Sequence, residues 1–286
     1  MARRAHEINA EHLSARLDVE NPADELGRLA AAFNETLARI EHSFEQLRRF
    51  TSDASHELRT PLTAIRAVGE VGLREKGTPE HYREVIGSML EEAARLTRLV
   101  ESLLTISRAD SGQLPLAVSE ITVLPFVREI TSLLEVLAEE KAQHIVVSGN
   151  ERALVKADRG VLRQVLINLL DNAVKYSPAG GTISVRVRPA GQTVAVEVED
   201  GGPGIAPEHR VRVFDRFYRI DEARSREAGG AGLGLAIAKW GAEAHSGRIE
   251  LECPASGGCI FRLTLPGEES RAIPERDIRE ASEIVR

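Results

Sequence analysis

Residues 55–62 place a histidine among side chains that could make it a nucleophile; they read Ser-His-Glu-Leu-Arg-Thr-Pro-Leu. Imidazole is partly unprotonated near neutral pH, so a ring nitrogen of His56 can attack an electrophile. Glu57 is adjacent and is the candidate base for the proton on the other ring nitrogen. Pro61 removes a backbone hydrogen bond and is expected to kink a helix. Alone, His56 and Glu57 would be ordinary surface side chains; the combination favours chemistry.

Two asparagines and a lysine share a helix face in the segment 168–176, which reads Asn-Leu-Leu-Asp-Asn-Ala-Val-Lys-Tyr. Asn168 and Asn172 are four residues apart and Lys175 follows by three, so all three side chains project close together. Two neutral carbonyl ligands beside an ammonium suit a magnesium triphosphate, whose own oxygens and waters complete the octahedron. Capping or surface exposure is the alternative, and the buried-looking Leu169 and Leu170 between the asparagines weaken it.

Two glycine-rich segments could bring the backbone close to a ligand. The first, Asp200-Gly-Gly-Pro-Gly, directly follows a predicted strand. Its glycines admit a flat ligand, and its aspartate can accept a hydrogen bond from an exocyclic amine, although the segment is an equally good turn. The second, 229–235, leads into a helix whose N–H groups would face an anion. It lacks the Lys-Ser/Thr ending of a Walker loop.

An aromatic stretch, 214–219, and a polar stretch, 220–231, lie between the two glycine segments. Long glycine-ended segments beside a ligand commonly act as mobile lids, and a lid is expected here. An ordinary surface loop anchored by Phe214 and Phe217 is the alternative.

A helical hairpin is expected to position His56. Residues 25–109 are rich in Ala, Leu, Glu and Arg, with an interruption at 75–79. Apolar or small residues recur at steps of four and three, the period of about 3.5 that marks a coiled-coil or four-helix-bundle seam. One hairpin leaves such a seam partly exposed to solvent, so two hairpins should pair as a dimer. With Ala54 at heptad position d, His56 falls at f and should face solvent. The seam residues are Ile40, Phe44, Leu47, Thr51, Ala54, Leu58, Pro61, Ile65 and Val68, then Tyr82, Ile86, Met89, Ala93, Leu96, Val100 and Leu103.

After residue 112 the pattern changes to short Val/Ile/Thr runs that alternate with helical stretches, which predicts an α+β unit. Val194, Val196 and Val198 alternate with Ala195 and Glu197, which indicates one buried face and one wetter face. The charged residues after Gly267 are interpreted as a flexible tail. The predicted strands are 145–148, 153–157, 182–188, 193–199, 248–253 and 259–265, and helices are predicted near 123–142, 158–176 and 232–245.

Composition excludes several classes of function. The 286 residues, 42% of them hydrophobic, allow two or three folded units. A net charge of -7 argues against nonspecific nucleic-acid binding, which needs concentrated positive charge. No apolar run approaches the roughly 20 residues that span a bilayer, and no secretory signal opens the sequence, so a cytoplasmic location is expected. Cys253 and Cys259 lack zinc-ligand spacing and a disulfide framework, and are expected to be small buried residues in a reducing compartment.

Taken together and in this order, these motifs resemble the bacterial sensor histidine kinases of two-component systems, whose ATP-binding domain shares the GHKL, or Bergerat, fold of gyrase, Hsp90 and MutL. The resemblance implies a multidomain protein: an all-α helical hairpin that forms a dimeric four-helix bundle, then an α+β two-layer sandwich that binds ATP. It divides the chain into a HAMP-like signal-relay segment, a dimerisation and histidine-phosphotransfer domain, a catalytic domain and a tail, at 1–46, 47–112, 113–266 and 267–286.

The resemblance also assigns roles to individual residues. His56 becomes the phosphoacceptor, Glu57 its general base, and Thr60 the residue that positions water for dephosphorylating a partner. Asn172 becomes the principal Mg²⁺ ligand with Asn168 as a second candidate, Asp200 reads adenine, and Arg219 contacts the γ-phosphate. The implied ATP-binding residues are Asn168, Asn172, Lys175, Tyr176, Asp200, Gly202, Gly204, Arg219, Gly230, Gly232, Leu233 and Gly234.

Residues 13–33 are similar to the later part of a HAMP linker, which in the family follows a membrane helix. No such helix is found in this sequence. Two origins are therefore expected for the chain. It is either a truncated piece that corresponds to the cytoplasmic portion of an inner-membrane sensor kinase, or a soluble variant. The implied partners are a second copy of the chain and the receiver domain of a cognate response regulator, and no nucleic acid is expected.

The implied mechanism is in-line transfer of the γ-phosphoryl group from ATP with Mg²⁺ to His56, and then to an aspartate of the response regulator, with phosphatase activity toward that regulator. A gyrase-like or Hsp90-like ATPase clamp is the rival enzyme, against which the His56–Glu57 pair on its hairpin argues. A degenerate relay scaffold without enzymatic activity is the third reading. The intact Asn172, Asp200 and glycine segments argue against the scaffold.

Overall fold

The computed structural model describes residues 15–17, 24–74, 77–110, 115–221, 230–255 and 257–269. These residues fall into two units, one within 1–96 and one within 97–286. The start of the HAMP-like segment, most of the predicted lid and the tail beyond Glu269 lie outside the described residues. Within them, no helix combines the length and the apolar character needed to cross a membrane.

Two long helices form the predicted hairpin. Helix α1 spans Glu25–Arg74 and helix α2 spans Pro79–Asp110. Asp24 begins α1, because its Oδ1 accepts a hydrogen bond of 2.6 Å from the N–H of Gly27. Pro61 is buried, and α1 continues across it without interruption.

Glycines bring the two helical arms together near the turn. A Cβ on Gly72 would lie 2.8 Å from Cγ1 of Val85, and one on Gly69 would lie 3.4 Å from Cε of Met89. Elsewhere along the seam, large apolar side chains stay open to solvent. Ile40, Phe44, Leu47 and Ile86 are 47%, 49%, 56% and 56% exposed. A single hairpin therefore leaves the predicted seam partly uncovered.

The second unit is built on a seven-stranded mixed sheet with the order β1-β3-β7-β5-β4-β2, in which β6 also pairs with β7. Strands β2 and β4 are parallel, and the other pairs are antiparallel. The strands are β1 Val118–Thr122, β2 His144–Gly149, β3 Ala153–Asp158, β4 Thr182–Ala190, β5 Thr193–Asp200, β6 Arg248–Glu252 and β7 Cys259–Glu269. The α-helices are α3 Val123–Glu139, α4 Arg159–Tyr176 and α5 Gly234–Ala244, and short 3₁₀ turns span Pro207–His209 and Arg212–Phe214.

One apolar core joins the sheet to α3, α4 and α5, and it gives the two-layer arrangement that the sequence predicts. Val194, Val196 and Val198 are buried in it as expected. The wetter face predicted for the alternate positions is wrong for Ala195 and Glu197, which are only 9% and 7% exposed. Glu197 is buried because arginines flank it.

The arginines around Glu197 come from both neighbouring strands. Arg262 on β7 donates a hydrogen bond of 2.9 Å to Glu197, and Arg188 on β4 lies 3.6 Å from the same carboxylate. Ion pairs between Arg186 and Glu199 and between Arg262 and Glu252 extend this charged layer. Their aliphatic stems cover the sheet where apolar side chains would otherwise be needed.

The sheet is larger than the sequence predicts at two places. Strand β1 was not predicted, because it is a short edge strand with only Ile121 buried. Strand β7 continues through Pro266 and Gly267 to Glu269, so residues 267–269 are not tail. Gly267 pairs with Val155 and its N–H donates to the carbonyl of Gln192 at 3.0 Å. A Cβ there would lie 2.4 Å from the Leu154 carbonyl oxygen, so the glycine permits close pairing rather than ending the strand.

Candidate functional site

His56 lies on the exposed side of α1, as the heptad register predicts. Glu57 follows it and is half-buried. The hydroxyl of Thr60, one turn farther on, donates a hydrogen bond of 3.3 Å to the carbonyl oxygen of His56. The three residues that the sequence singles out for chemistry therefore occupy one short stretch of a solvent-facing helix.

Helix α4 carries the predicted asparagine face. Nδ2 of Asn168 is buried and has no hydrogen-bond partner within the described part of the chain. The side chain of Asn172, one turn farther along, is half-buried. Lys175 forms an ion pair of 2.5 Å with Asp171, one turn before it. An unpaired amide N–H group on the helix that also carries the Lys175 ammonium fits an anionic ligand better than a packed surface.

Asp200 ends β5 and is only 8% exposed. Its carboxylate accepts a hydrogen bond of 2.8 Å from the N–H of Gly202, and the backbone N–H of Cys259 also faces it. Removal from water raises the pKa of the Asp200 carboxyl, and the two backbone donors work against that rise. The group is therefore held in place at low dielectric, where a hydrogen bond from a ligand is worth more than in water.

Gly202 lies in the loop of residues 200–204, here called the Asp200 loop, and it packs closely against the end of α4. A Cβ at Gly202 would lie 2.9 Å from the carbonyl oxygen of Tyr176 and 2.8 Å from Oδ1 of Asp200. Gly204 has a φ of 76°, which favours glycine. The absence of a side chain at Gly202 lets the loop backbone approach the end of α4 closely.

The second glycine segment also approaches α4. A Cβ at Gly234 would lie 3.3 Å from Oδ1 of Asn168, and one at Gly230 would lie 3.9 Å from Nζ of Lys175. Leu233 is 2% exposed and fixes the segment in the core. The predicted residues from three separate stretches of sequence are therefore brought together along one face of α4.

Gly232 and Phe217 fix the shape of this segment. Gly232 has a φ of 70°, and its carbonyl accepts a hydrogen bond of 2.9 Å from the N–H of Phe217. Phe217 has a φ of 60°, a left-handed conformation that is unusual outside glycine. Arg219 follows two residues later and is half-buried; its assignment to a phosphate stays a prediction.

Several residues that hold α4 in place were missed at the sequence level. Gln143 is buried and its Nε2 donates to the carbonyl oxygens of Val174, Ser177 and Pro178, at 3.1, 2.9 and 3.2 Å. Nζ of Lys141 donates to the carbonyls of Val174 and Lys175. These bonds satisfy carbonyls that the last turn of a helix leaves open. They come from residues more than thirty positions away, so no local signal marks them.

The opposite end of α4 is capped by Asp158. Its Oδ1 accepts from the N–H groups of Gly160 and Val161, at 2.8 and 3.0 Å, and its own N–H donates to His245. Aspartate before a helical run is a recognisable N-cap signal, so Asp158 could have been found from the sequence. His245, at the end of α5, could not.

Comparisons with known proteins agree with this arrangement. Residues 157–269 match the family described as histidine kinase-, DNA gyrase B-, and HSP90-like ATPase, which implies ATP binding. Residues 46–112 match the His Kinase A (phospho-acceptor) domain, and residues 1–42 match the HAMP domain.

Individual relatives are similar over most of the chain. Sensor protein IrlS of Burkholderia pseudomallei is 35% identical over 263 residues, which are 92% of this chain and 56% of IrlS. Sensor histidine kinase CusS of Escherichia coli strain K12 is 36% identical over 266 residues, 93% of this chain and 55% of CusS. The chain thus spans about half the length of these curated relatives.

A solved structure is similar across both units. Histidine kinase ThkA, crystallised in complex with response regulator protein TrrA, aligns with a TM-score of 0.65 and 26% identity over 86% of this chain and 68% of ThkA. A phospho-acceptor domain, a GHKL-type ATPase domain and sensor kinase relatives occur together, so the chain belongs to the two-component sensor histidine kinases.

Proposed function

We propose that this chain is an ATP-dependent protein-histidine kinase that phosphorylates His56 and passes the phosphoryl group to an aspartate of a response regulator. The observation that carries the proposal is that the Asp200 loop and the 230–234 segment both approach the face of α4 that carries Asn168. The same chain also exposes His56. Two similar proteins, a sensor histidine kinase and a histidine kinase crystallised with a response regulator, support the same function.

The adenine base would bind beside Tyr176 and the Asp200 loop. The buried Asp200 carboxylate would accept a hydrogen bond from the exocyclic amine, and Gly202 and Gly204 would leave room for the ring. The triphosphate would run along α4 toward the 230–234 segment, where Gly230, Gly232, Leu233 and Gly234 offer backbone N–H groups near the beginning of α5. Arg219 would contact the γ-phosphate.

Asn172 is proposed as the principal ligand of Mg²⁺, with Asn168 beside it. Their side-chain carbonyl oxygens are neutral ligands of the kind that a hard cation takes. The unpaired Nδ2 of Asn168 would instead donate to a phosphate oxygen. A bound Mg²⁺ would neutralise charge on the β- and γ-phosphate oxygens. Lys175 can add a point charge only by sharing or leaving its pairing with Asp171.

The proposed chemistry at His56 is a direct displacement. A ring nitrogen forms a bond to the γ-phosphorus while the bond from that phosphorus to the bridging oxygen breaks and ADP leaves. Glu57 accepts the proton from the other ring nitrogen, which makes the attacking nitrogen more nucleophilic. Thr60, one turn away, would position water in the reverse role, dephosphorylation of the regulator.

A homodimer is the proposed assembly, since a second hairpin would cover the exposed apolar seam of α1 and α2. Sedimentation analysis is expected to give twice the mass of the 31.3 kDa chain. The receiver domain of a response regulator is the proposed second partner. The finer localisation proposal is that the chain is the cytoplasmic portion of a membrane sensor.

Labelled ATP tests the proposal. We expect incubation with γ-labelled ATP and Mg²⁺ to give a protein-bound label that is acid-labile and alkali-stable, as a phosphohistidine is. The label should be lost in His56→Gln and kept in His144→Gln, which changes another exposed histidine. Glu57→Gln should slow labelling by roughly 10²- to 10⁴-fold. Label that persists in His56→Gln would contradict the proposal, and release of free phosphate alone would favour the ATPase clamp.

A further inference from the structure

Cys253 and Cys259 form a thiol pair beside the Asp200 loop. Their Sγ atoms are 3.2 Å apart, and both cysteines are free. Cys253 directly follows β6 and Cys259 begins β7. The register pairs Glu252 with Ile260, which puts the two cysteines opposite each other at the next position. Residues opposite each other on antiparallel strands have Cα atoms about 4.5 to 5.5 Å apart, a separation that a disulfide can span.

The backbone around this pair contacts the proposed adenine site. Cys259 is the register partner of Asp200, and its backbone N–H lowers the pKa of the Asp200 carboxyl. The N–H of Gly258 donates a hydrogen bond of 2.9 Å to the carbonyl of Gly202. A Cβ at Gly258 would lie 2.2 Å from the Asp200 carbonyl oxygen. Movement at Gly258 or Cys259 would therefore displace Asp200 and Gly202.

We propose that Cys253 and Cys259 are an oxidisable dithiol, and that their disulfide lowers the affinity of the adjacent nucleotide site. The second half of this inference rests on the proposed function, which assigns Asp200 and Gly202 to adenine. Cys253 is half-buried and reachable, whereas Cys259 is buried. Burial, together with the hydrogen bond to Cys253, raises the pKa of the Cys259 thiol. Cys253 is therefore the thiol that reacts first, and Cys259 resolves the intermediate.

Hydrogen peroxide is a sufficient oxidant. The Cys253 sulfur attacks one peroxide oxygen and the O–O bond breaks, which gives a sulfenic acid and one water. The Cys259 sulfur then attacks the Cys253 sulfur, the S–O bond breaks, and the leaving hydroxide takes the Cys259 proton as a second water. Each thiol has lost one hydrogen, and the peroxide is reduced to two waters. The sulfurs would close to about 2.05 Å, and the backbone next to Gly258 would have to adjust.

The test compares the full chain after peroxide treatment with the same chain kept in dithiothreitol. We expect the intact mass to fall by two hydrogens and amide exchange at Gly202 and Cys259 to become faster. ATP affinity should fall about tenfold, the loss expected when a hydrogen bond to a charged group is disturbed. Dithiothreitol should reverse all three changes. Cys253→Ser should bind ATP like the reduced wild type and should not respond to peroxide.

The absence of a disulfide under these conditions would overturn the inference. So would a disulfide that changes neither amide exchange nor ATP affinity. An equal response in Cys253→Ser would also overturn it, because peroxide would then act elsewhere. Failure of the reduced chain to bind ATP would instead contradict the proposed function. Amide exchange at Gly202 and Cys259 is read without nucleotide, so it still decides whether the dithiol controls the Asp200 loop.

Discussion

The backbone N–H of Asp158 donates a hydrogen bond of 2.9 Å to Nε2 of His245, 87 positions later in the chain. Nδ1 of the same imidazole lies 2.7 Å from the carbonyl oxygen of Gly241. A carbonyl can only accept, so Nδ1 carries the proton and Nε2 is the acceptor. The buried His245 thus ties the start of α4 to the end of α5, the two helices that border the proposed phosphate site.

Replacing His245 with alanine should therefore destabilise the second unit. The change leaves the partly buried N–H of Asp158 without its His245 acceptor and opens a cavity, which together cost roughly 2 to 4 kcal/mol of unfolding free energy. Urea denaturation followed by circular dichroism measures the loss. His144→Ala, at an exposed histidine, should stay within about 0.5 kcal/mol of the wild type. Equal denaturation midpoints for the two variants would contradict the role given to His245.

The cap at Asp158 predicts a pH dependence of stability. Hydrogen bonds from the N–H groups of Val161, Ala117 and Gly160 lower the pKa of the Asp158 carboxyl, although burial opposes them. A carboxyl whose pKa is lower in the folded than in the unfolded state stabilises the fold when it is ionised. Its full contribution is therefore present at pH values above its ordinary pKa of 3.8, and it is lost as the pH falls through the pKa of the folded state. Asp158→Ala should cost about 1 kcal/mol near neutral pH.

Urea titrations of wild type and Asp158→Ala at several pH values test this dependence. The gap between the two midpoints should be widest near neutral pH and should close as pH falls below about 4. A gap that is constant over the whole range would show that the ionised carboxylate is not the source of the stability.

Asp200 should behave in the opposite way. Burial raises the pKa of its carboxyl, so the folded state binds a proton more readily than the unfolded state. Its contribution to stability therefore falls as pH rises from its ordinary value of 3.8 through the folded pKa. Asp200→Asn should remove this fall and should be at least as stable as the wild type near neutral pH.

The same Asp200→Asn variant should lose nucleotide affinity, by about tenfold or more, because an amide oxygen is a weaker acceptor than a carboxylate. Isothermal titration calorimetry with ATP measures this affinity. Glu199→Gln is the matched control, since it removes one carboxylate from the adjacent position, where the side chain pairs with Arg186. If both variants bound ATP like the wild type, Asp200 would not be the adenine acceptor.

Gly232 should tolerate no side chain. Its φ of 70° strains an alanine, and a Cβ would lie 2.8 Å from the carbonyl carbon of Phe217. Gly191 has a similar φ of 66° but nothing within 4 Å of a Cβ, so Gly191→Ala measures the backbone strain alone, about 1 to 2 kcal/mol. Gly232→Ala should cost about 1 to 3 kcal/mol more and should weaken ATP binding. Equal losses in the two variants would show that the segment yields freely at Phe217.

Local patterns carried most of what the sequence predicted correctly. The exposure of His56 follows from a period of three and four along one helix, and the shared face of Asn168 and Asn172 follows from the same geometry. The ion pair between Asp171 and Lys175, also four apart, could have been predicted by the same rule. Such features depend on neighbours within one or two helical turns, which the sequence lists in order.

Features that depend on distant partners were not predictable. Glu197 alternates with buried valines and looks like a solvent-facing residue until Arg262 approaches it from β7. Gln143 has no local mark that would connect it to the last turn of α4. Strand β1 gains its place by pairing with β3 rather than from its own composition. In each case the deciding contact joins residues that the chain keeps far apart.

Strand β7 determines when the second unit can become whole. It pairs with β5 over Cys259–Pro266, and with β6 and then β3 along its other edge. Synthesis delivers the N-terminal part first, so β1 can pair with β3 before β7 exists. In the same interval β4 can pair with β2 on one edge and with β5 on the other, which gives a second, separate half-sheet. Among the described strands only β7 pairs with both, and it also supplies Cys259, the register partner of Asp200. A ribosome-bound chain that lacks β7 should therefore bind no nucleotide, which would postpone kinase activity until the last strand has been made.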